Sequence, residues 1–283
     1  MISTRIRGGL GNQLFQYCAG RALALRLGAD LSLDLRDYDR PKAFKVGLDH
    51  FNISVVPPVG LPASREDGTI RALSKILRGG GLKTYREASL GYDVGVESLG
   101  DQTHLKGYWQ SERYFQGFEE QIRADLQIVT PTNAQNEQML SEIADCTAVS
   151  LHIRRGDYVS NEKYNAAHGT CDLGYYERAA AFVAEQVEDP VIYAFSDDPA
   201  WVEEHLKLPF EVRYVGHNDG DTNYEDLRLM AACQHHIIAN SSFSWWGAWL
   251  NPKPDKIVVA PTQWYADPNK QNPDILPKSW LTV

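Results

Sequence analysis

Two adjacent arginines follow a short apolar run in the second half of the chain. The run at 148–151 predicts a buried strand, and His152, Arg154, Arg155 and Asp157 come directly after it. A guanidinium keeps its charge in proteins, and burying it without a partner is costly. Ligands of open α/β sheets bind at the carboxyl ends of strands, so this segment predicts a bound phosphate or diphosphate. The alternative is a structural ion pair, for example between Arg155 and Asp157.

Two aspartates follow a second apolar run. Asp197 and Asp198 come after the predicted strand 191–196, and Pro199 follows them. One aspartate is expected to cap a helix that has Pro199 at its first position. The other is left to accept hydrogen bonds, and a carboxylate that accepts two parallel N–H bonds suits the edge of a guanine base.

A third polar segment comes after the apolar run 237–239. Asn240, Ser241, Ser242 and Phe243 lie at the predicted start of a helix. The unpaired N–H groups and the dipole of a helix start favour an anion. Capping is the alternative, but three polar residues in a row exceed what one helix needs, so a ligand contact is favoured.

The first half of the chain has a glycine-rich turn after its first predicted strand. Gly8, Gly9 and Gly11 allow close backbone approach, and Asn12 and Gln13 follow them. No Lys-Ser or Lys-Thr pair comes next, so the turn is not a Walker phosphate loop. The two amide side chains favour a ligand contact at Gly11, Asn12 and Gln13 over a simple turn.

Two Asp-x-Asp strings raise the question of a metal ion. Asp37 and Asp39 form the first, and Asp219 and Asp221 form the second. Such carboxylates can hold a divalent ion on a nucleotide diphosphate. The first string is flanked by arginines and the second lies in a loop rich in Gly, Asn and Asp, so solvated loop charge is the preferred interpretation of both.

The order of elements predicts an α/β protein with two Rossmann-like domains that face each other across a cleft. We place the boundary at 131/132, giving domains 1–131 and 132–283. Strands are predicted at 4–7, 31–35, 103–109, 147–153, 191–196, 211–215, 235–239 and 256–260. Helices are predicted from the glycine turn to residue 27, and at 68–78, 111–126, 174–187, 198–206, 223–233 and 243–250.

Composition excludes several classes of protein. The chain has 283 residues, a net charge of −9 and no basic stripe, which argues against a nucleic-acid-binding protein. Four separated cysteines without a CxxC predict neither a zinc site nor a disulfide framework. No apolar run approaches the ~20 residues that span a bilayer. We expect a cytoplasmic protein, at most peripherally associated with the inner face of the plasma membrane.

These motifs resemble those of the bacterial α-1,2-fucosyltransferases, glycosyltransferase family 11. The resemblance is carried, in family order and over essentially the whole chain, by residues 8–17, 152–158, 195–198 and 240–248. It implies a GT-B fold and inverting transfer of fucose from GDP-β-L-fucose to the 2-hydroxyl of a terminal galactose. It also implies an oligosaccharide acceptor of the O-antigen or blood-group-H type and no metal or other cofactor.

The resemblance assigns roles to individual residues. It implies that Arg154 bonds the diphosphate as a catalytic group and that His152 helps to hold guanine. It further implies that Asp197 reads the base and that Ser241 and Ser242 bond phosphate oxygens. The remaining expected donor contacts are Arg155, Asp198, Asn240, Phe243, Gly11, Asn12 and Gln13.

The general base and the class of protein remain open at this stage. Asp157 is the candidate base, although pairing with arginine would lower its pKa and weaken it. Asp34, Asp37 and Glu162 are rivals, and an oxocarbenium-like route could need little base. Two other functions are weighed: a metal-dependent nucleotide-sugar transferase that uses Asp219 and Asp221, and a non-catalytic nucleotide or glycan sensor.

Overall fold

The chain forms two compact units in a computed structural model. The structure describes residues 1–39, 44–57, 81–156 and 169–283. Unit 1 comprises Met1–Gln127 and unit 2 comprises Ile128–Val283, so the division falls four residues before the boundary placed at 131/132. The predicted helix 68–78 lies outside the described residues. Within the described ranges, no helix is both long and apolar enough to cross a membrane.

Unit 1 contains a parallel sheet of four strands in the order β2-β1-β4-β3. The strands are β1 (Ile2–Arg5), β2 (Leu31–Asp34), β3 (Lys83–Arg86) and β4 (Thr103–Lys106). Helix α1 (Leu10–Leu27) connects β1 to β2 and ends at Gly28, which has a φ of 58°. A 3₁₀ turn at Glu112–Phe115 and helix α2 (Glu119–Asp125) close the unit.

Unit 2 contains a parallel sheet of six strands in the order β10-β9-β8-β5-β6-β7. The strands are β5 (Thr147–Ile153), β6 (Pro190–Ser196), β7 (Glu211–Val215), β8 (His235–Ile237), β9 (Val258–Ala260) and β10 (Leu281–Thr282). The helices described are α3 (Ala134–Ala144), α4 (Leu173–Ala184), α5 (Pro199–His205), α6 (Asn223–Ala232) and α7 (Ser242–Leu250).

Alternation along the central strands of unit 2 builds a core on both faces of the sheet. Val149 and Leu151 of β5 face a cluster that includes α4 and α5. Tyr193 and Phe195 of β6 face the opposite cluster, which includes residues of α3 and α6. Because successive side chains of a strand point to opposite faces, these apolar runs require helices on both sides of the sheet.

Most predicted elements of unit 2 are confirmed, and three predictions for unit 1 need correction. The first strand, predicted at 4–7, is Ile2–Arg5. The predicted helix 111–126 is two short helices, because Gly117 interrupts it with a φ of 85°. The predicted strand 103–109 ends at Lys106. Strand β3 and helix α3 were not predicted, and β10 adds a sixth strand to the five expected in unit 2.

Helix α7 packs closely against α6 through a glycine. A Cβ built on Gly247 would lie 2.9 Å from the Cβ and Sδ atoms of Met230. Trp245 and Trp246 are fully buried on the same helix, and the Trp245 indole donates to the Ile275 carbonyl at 2.7 Å. These contacts fix the position of α7 and of the polar residues at its start.

Gly247→Ala is therefore expected to destabilise unit 2. Overpacking costs about 1–3 kcal/mol, and the gain in helix propensity offsets about 1 kcal/mol of it. The net result should be a fall of up to about 2 kcal/mol in the free energy of unfolding, measured in urea. Gly220→Ala is the matched control, because no atom lies within 4 Å of the added Cβ. Equal stability of the two variants would contradict the packing argument.

Candidate functional site

The three polar segments of unit 2 follow three neighbouring strands. β8, β5 and β6 are adjacent in the sheet, and all their pairings are parallel. The residues after these strands therefore lie at one edge, where ligands of doubly wound sheets bind. This edge carries the segments that begin at His152, Asp197 and Asn240, and we call it the polar edge of unit 2.

Asp197 holds both arginines of the first segment. Its Oδ2 pairs with Arg154 Nη1 at 2.8 Å, and its Oδ1 accepts the Arg155 backbone N–H at 2.8 Å. About a quarter of each side chain of the Arg154–Asp197 pair is exposed. Gly156 follows Arg155, and a Cβ at this position would collide with the Asp197 carboxylate. The resemblance implies that Asp197 binds the guanine base. In this structure the Asp197 carboxylate bonds the Arg154 side chain and the Arg155 backbone.

Asp198 and Trp201 define the position of Arg155. Asp198 caps α5 by accepting the Trp201 N–H at 3.4 Å, and Pro199 begins that helix, as predicted. Asp198 Oδ2 also accepts from Arg155 Nε at 3.3 Å. The Arg155 guanidinium carbon lies 3.4 Å from the centre of the Trp201 ring, and this ring stacks on His205. The sequence does not predict a role for Trp201, because no sequence feature links this residue to Arg155.

His152 is buried and electrically neutral. Burial, assisted by the charge of Arg154, lowers the pKa of His152 to about 3. Its Nδ1 is buried and has no hydrogen-bond partner within the described structure. Its ring lies 5.8 Å from that of Phe243 at the start of α7. A buried polar atom without a partner is costly and uncommon, so His152 is a group that a ligand could satisfy.

The residues around the start of α7 divide into structural and available groups. Asn240 is buried and donates to the carbonyls of Gly169 and Trp264, which gives it a structural role. Ser241 caps α7 by accepting the Phe243 N–H at 3.3 Å. Ser242 is half-buried, and its hydroxyl makes no hydrogen bond with the described residues. Ser242 is thus the hydroxyl of this segment that is best placed to meet an anion.

The glycine turn of unit 1 also mixes structural and available groups. Gln13 is fully buried, and its amide bonds the backbone of Gly8, Lys45 and Gly47 at 2.8–3.0 Å. Gly11 is buried within α1. Asn12 is half-buried and accepts from Gln110 Nε2 at 2.7 Å. Gln13 therefore fixes the 45–47 segment, while Asn12 remains partly accessible.

Two of the four candidate bases are engaged in ion pairs. Asp157 and Glu162 lie outside the described residues. Asp34 is buried, and although burial opposes the change, the bonds from Arg36 lower the pKa of Asp34. Asp37 accepts from Arg5 Nε at 2.7 Å. Asp34 is consequently a poor proton acceptor, and the Asp37 carboxylate is engaged by Arg5.

The second Asp-x-Asp string forms a turn. Asp219 accepts hydrogen bonds from the backbone of Asp221 and Thr222 and from the Thr222 hydroxyl, at 2.9–3.0 Å. Outside residues 40–43, 58–80 and 157–168, which the structure does not describe, the chain brings together no group of three or more His, Cys, Asp or Glu residues able to hold a metal ion. The Asp219 contacts match the interpretation of this string as loop structure.

The chain belongs to glycosyltransferase family 11. The sequence profile described as Glycosyl transferase family 11 matches residues 83–283. An α-1,2-colitosyltransferase of Escherichia coli is 34% identical over 100% of this chain and 99% of its own length. The O-antigen biosynthesis glycosyltransferase WbnK of the same organism is 31% identical over 98% of this chain and 99% of its own.

More distant relatives extend the comparison to animals and to solved structures. The galactoside α-(1,2)-fucosyltransferase 1 of Gorilla gorilla gorilla is 25% identical over 86% of this chain and 63% of its own. A crystal structure of POFUT1 in complex with GDP matches 92% of this chain and 97% of its own, with a TM-score of 0.54 and 13% identity. The fold is accordingly of the GT-B type, as the motifs implied.

Ser241→Ala and Ser242→Ala should have separate effects. Loss of the Ser241 cap is expected to lower the free energy of unfolding by about 1 kcal/mol. Loss of the Ser242 hydroxyl should leave that energy within about 0.5 kcal/mol. It should weaken binding of the expected ligand, GDP, at least about 10-fold, because a hydrogen bond to a charged group contributes about 1.5–3 kcal/mol. Urea unfolding and calorimetric titration with GDP measure the two effects. A Ser242 variant that binds GDP like the wild type would remove this residue from the ligand site.

Proposed function

We propose that this glycosyltransferase transfers L-fucose from GDP-β-L-fucose to the 2-hydroxyl of a terminal galactose, with inversion and without a metal ion. The observation that carries the proposal is the polar edge of unit 2. There, a pair of arginines adjoins the start of α7 and the buried Nδ1 of His152, which has no hydrogen-bond partner among the described residues. The names of the galactoside fucosyltransferase and of the two E. coli enzymes support a hexose acceptor in an O-antigen-like glycan.

The chemistry of the leaving group explains why arginines suit this site. Breaking the bond between fucose and phosphate leaves additional negative charge on GDP. Cations and N–H donors that are already in position stabilise this charge without reorganising. Arg154 carries five N–H donors in a rigid fork, so a bond to Asp197 is compatible with a further bond to phosphate. Asp197 then acts as the group that orients the guanidinium.

The other expected donor contacts take different roles in this proposal. Neutral His152 offers a ring nitrogen to an uncharged group such as a guanine edge. Arg155, stacked on Trp201, lies at the same edge, and Ser242 supplies a hydroxyl at the start of α7. Asn240 and Asp198 support the polar edge of unit 2 through their internal hydrogen bonds, whereas Gln13 fixes the 45–47 segment of unit 1.

A second donor is favoured by one specific comparison. The relative that is 34% identical over the whole chain is named a colitosyltransferase, and colitose is L-fucose without its 3-hydroxyl. A colitose donor linked to GDP would present the same nucleotide, so the polar edge of unit 2 would fit either donor. The choice depends on whether the sugar pocket hydrogen-bonds the 3-hydroxyl. We propose fucose, with the enzyme acting in the cytoplasm, at most peripherally at the inner face of the plasma membrane.

Arg154→Ala should reduce kcat about 10²–10³-fold, because one preorganised donor to the developing charge is lost. Arg154→Lys should also be slow, since an ammonium lacks the planar fork. The kcat of both variants is measured with GDP-fucose and a β-galactoside, after circular dichroism has shown that the fold persists. Arg213→Ala is the matched control, because Arg213 pairs with Glu142 and Glu211 at the surface of unit 2. Wild-type turnover by the Arg154 variants would exclude this mechanism.

Rate measurements with two GDP-sugar donors, made with and without EDTA, test both the donor preference and the metal requirement. GDP-fucose should exceed GDP-colitose at least ~10²-fold in kcat/KM, because a site that bonds a hydroxyl rejects an analogue without it. The rate should be unchanged in EDTA, and linkage analysis should show an α-1,2 product. A preference for GDP-colitose would reassign the donor, and loss of activity in EDTA would favour the metal-dependent alternative. Binding of GDP-fucose without turnover on any galactoside would favour the sensor.

A further inference from the structure

The carboxyl edge of the unit 1 sheet carries a second group of residues that the donor site does not use. β1, β4 and β3 are neighbours, so the residues that follow these strands lie along one edge. Arg7 follows β1, Glu87 follows β3 and Tyr108 follows β4. The string from Gly107 to Gln110 forms a tight turn here, and we call it the 107–110 turn.

A carboxylate holds the 107–110 turn. Glu87 accepts the backbone N–H of Tyr108 at 2.7 Å and that of Trp109 at 2.9 Å. Its own backbone N–H donates to the Lys106 carbonyl at 3.1 Å. Gly107 is required here, because an added Cβ would lie 2.6 Å from Glu87 Oε2. Burial raises the pKa of Glu87 to about 7, and the two N–H bonds oppose this rise.

The turn keeps Trp109 in an unfavourable backbone conformation. Trp109 has a φ of 57°, which costs a residue with a side chain of this size on the order of 1–3 kcal/mol. Its indole is fully buried and meets Tyr114 edge-on, with ring centres 5.2 Å apart. Strain of this kind persists where the surrounding structure imposes it, and it is concentrated at functional sites.

The strained turn places two side chains beside the glycine turn of the same unit. Tyr108 is half-buried, and the exposed Arg7 guanidinium lies 5.0 Å from the centre of its ring. The Gln16 side chain bonds both the backbone N–H and the carbonyl of Arg7, which fixes Arg7 locally. Gln110 bonds Asn12 at 2.7 Å. An aromatic ring, a guanidinium and two amides are the groups that bind the C–H faces and hydroxyls of a neutral sugar.

We propose that Tyr108 binds the acceptor galactoside in unit 1, and that Glu87 is a positioning residue that sets Tyr108 through the 107–110 turn. This inference deepens the proposed function and rests on it for the identity of the acceptor. It assigns acceptor recognition to Tyr108 and Glu87, whereas the polar edge of unit 2 serves the donor.

The binding test uses the full-length protein without donor. Saturation-transfer NMR with methyl β-galactoside and lactose should give signals for the wild type and for Tyr108→Phe, which keeps the ring. The signals should fall at least ~5-fold in Tyr108→Ala. Equal signals from the Ala and Phe variants would overturn the proposal.

The kinetic test separates acceptor from donor. Tyr108→Ala should raise the acceptor KM about 10-fold, while the donor KM and the hydrolysis of GDP-fucose without acceptor stay within about 2-fold. Glu87→Gln keeps one acceptor oxygen but sets an amide N–H₂ against a backbone N–H. It should raise the acceptor KM at least ~3-fold, whereas Glu97→Gln, whose amide oxygen can still accept the Tyr92 hydroxyl, should not.

The outcomes distinguish this proposal from the proposed function. A Glu87→Gln variant with a lower melting temperature but an unchanged acceptor KM would reduce Glu87 to a structural residue and overturn its assignment. A rise in donor KM in Tyr108→Ala would move Tyr108 to the donor site and overturn the proposal. If neither GDP-sugar is turned over but galactoside binding still requires the Tyr108 ring, the proposed function fails and the sugar site stands.

Discussion

The Asp197 carboxylate is the contact on which the arrangement of the polar edge of unit 2 depends. It joins the end of β6 to the end of β5 by bonding the Arg154 side chain and the Arg155 backbone. The Asp197 carboxylate offsets the charge of the Arg154 guanidinium and limits its rotamers, while Asp198 and Trp201 hold the side chain of Arg155. A free guanidinium would have to be ordered each time the nucleotide binds, which costs side-chain entropy. With Asp197 in place, part of that cost is met during folding.

Unit 1 uses a carboxylate in a related way. Glu87 reaches from the end of β3 to the backbone after β4, as Asp197 reaches from the end of β6 to the backbone after β5. In both cases the backbone groups beyond a strand have left the sheet and need partners. A carboxylate satisfies them and fixes the first residues of the loop. The side chains carried by those residues, Arg155 and Tyr108, are held in place as a result.

Sequence reasoning recovered the fold where hydrophobic patterns were strong and failed where they were weak. The central strands of unit 2 are apolar on both faces, and all of them were located. β3 was missed because three of its four residues are exposed, so that burial imposes no alternation. The helix predicted over 111–126 has a suitable pattern, but Gly117 adopts a left-handed conformation that divides it. This interruption is local, because the Gly117 N–H donates to the Glu119 carboxylate two residues later, and a hydrophobic pattern alone does not reveal it.

The same distinction applies to the candidate site. Polar residues after apolar runs identified which segments share an edge, because parallel strands bring their carboxyl ends together. The sequence could not show which of Ser241, Ser242 and Asn240 are structural and which can contact a ligand, since all three are small and polar. The contacts of Asn240 with the carbonyls of Gly169 and Trp264 come from distant parts of the chain. The stacking of Arg155 on Trp201 was likewise invisible, because 46 positions separate the two residues.

The protonation states at the polar edge of unit 2 limit what a pH–rate profile can report. Burial keeps His152 neutral down to a pKa of about 3, and an arginine stays charged throughout the accessible range. Neither group therefore changes charge between about pH 5 and pH 9. The stabilisation that Arg154 gives to departing GDP should be constant over this interval. An acidic limb in kcat would consequently come from another group, such as a carboxylate that accepts the proton of the galactose hydroxyl. Because Asp34 is buried but paired with Arg36, which lowers its pKa, the titration of Asp34 would be displaced to lower pH than that of an unpaired carboxylate. The position of the limb would thus distinguish a paired base from an unpaired one.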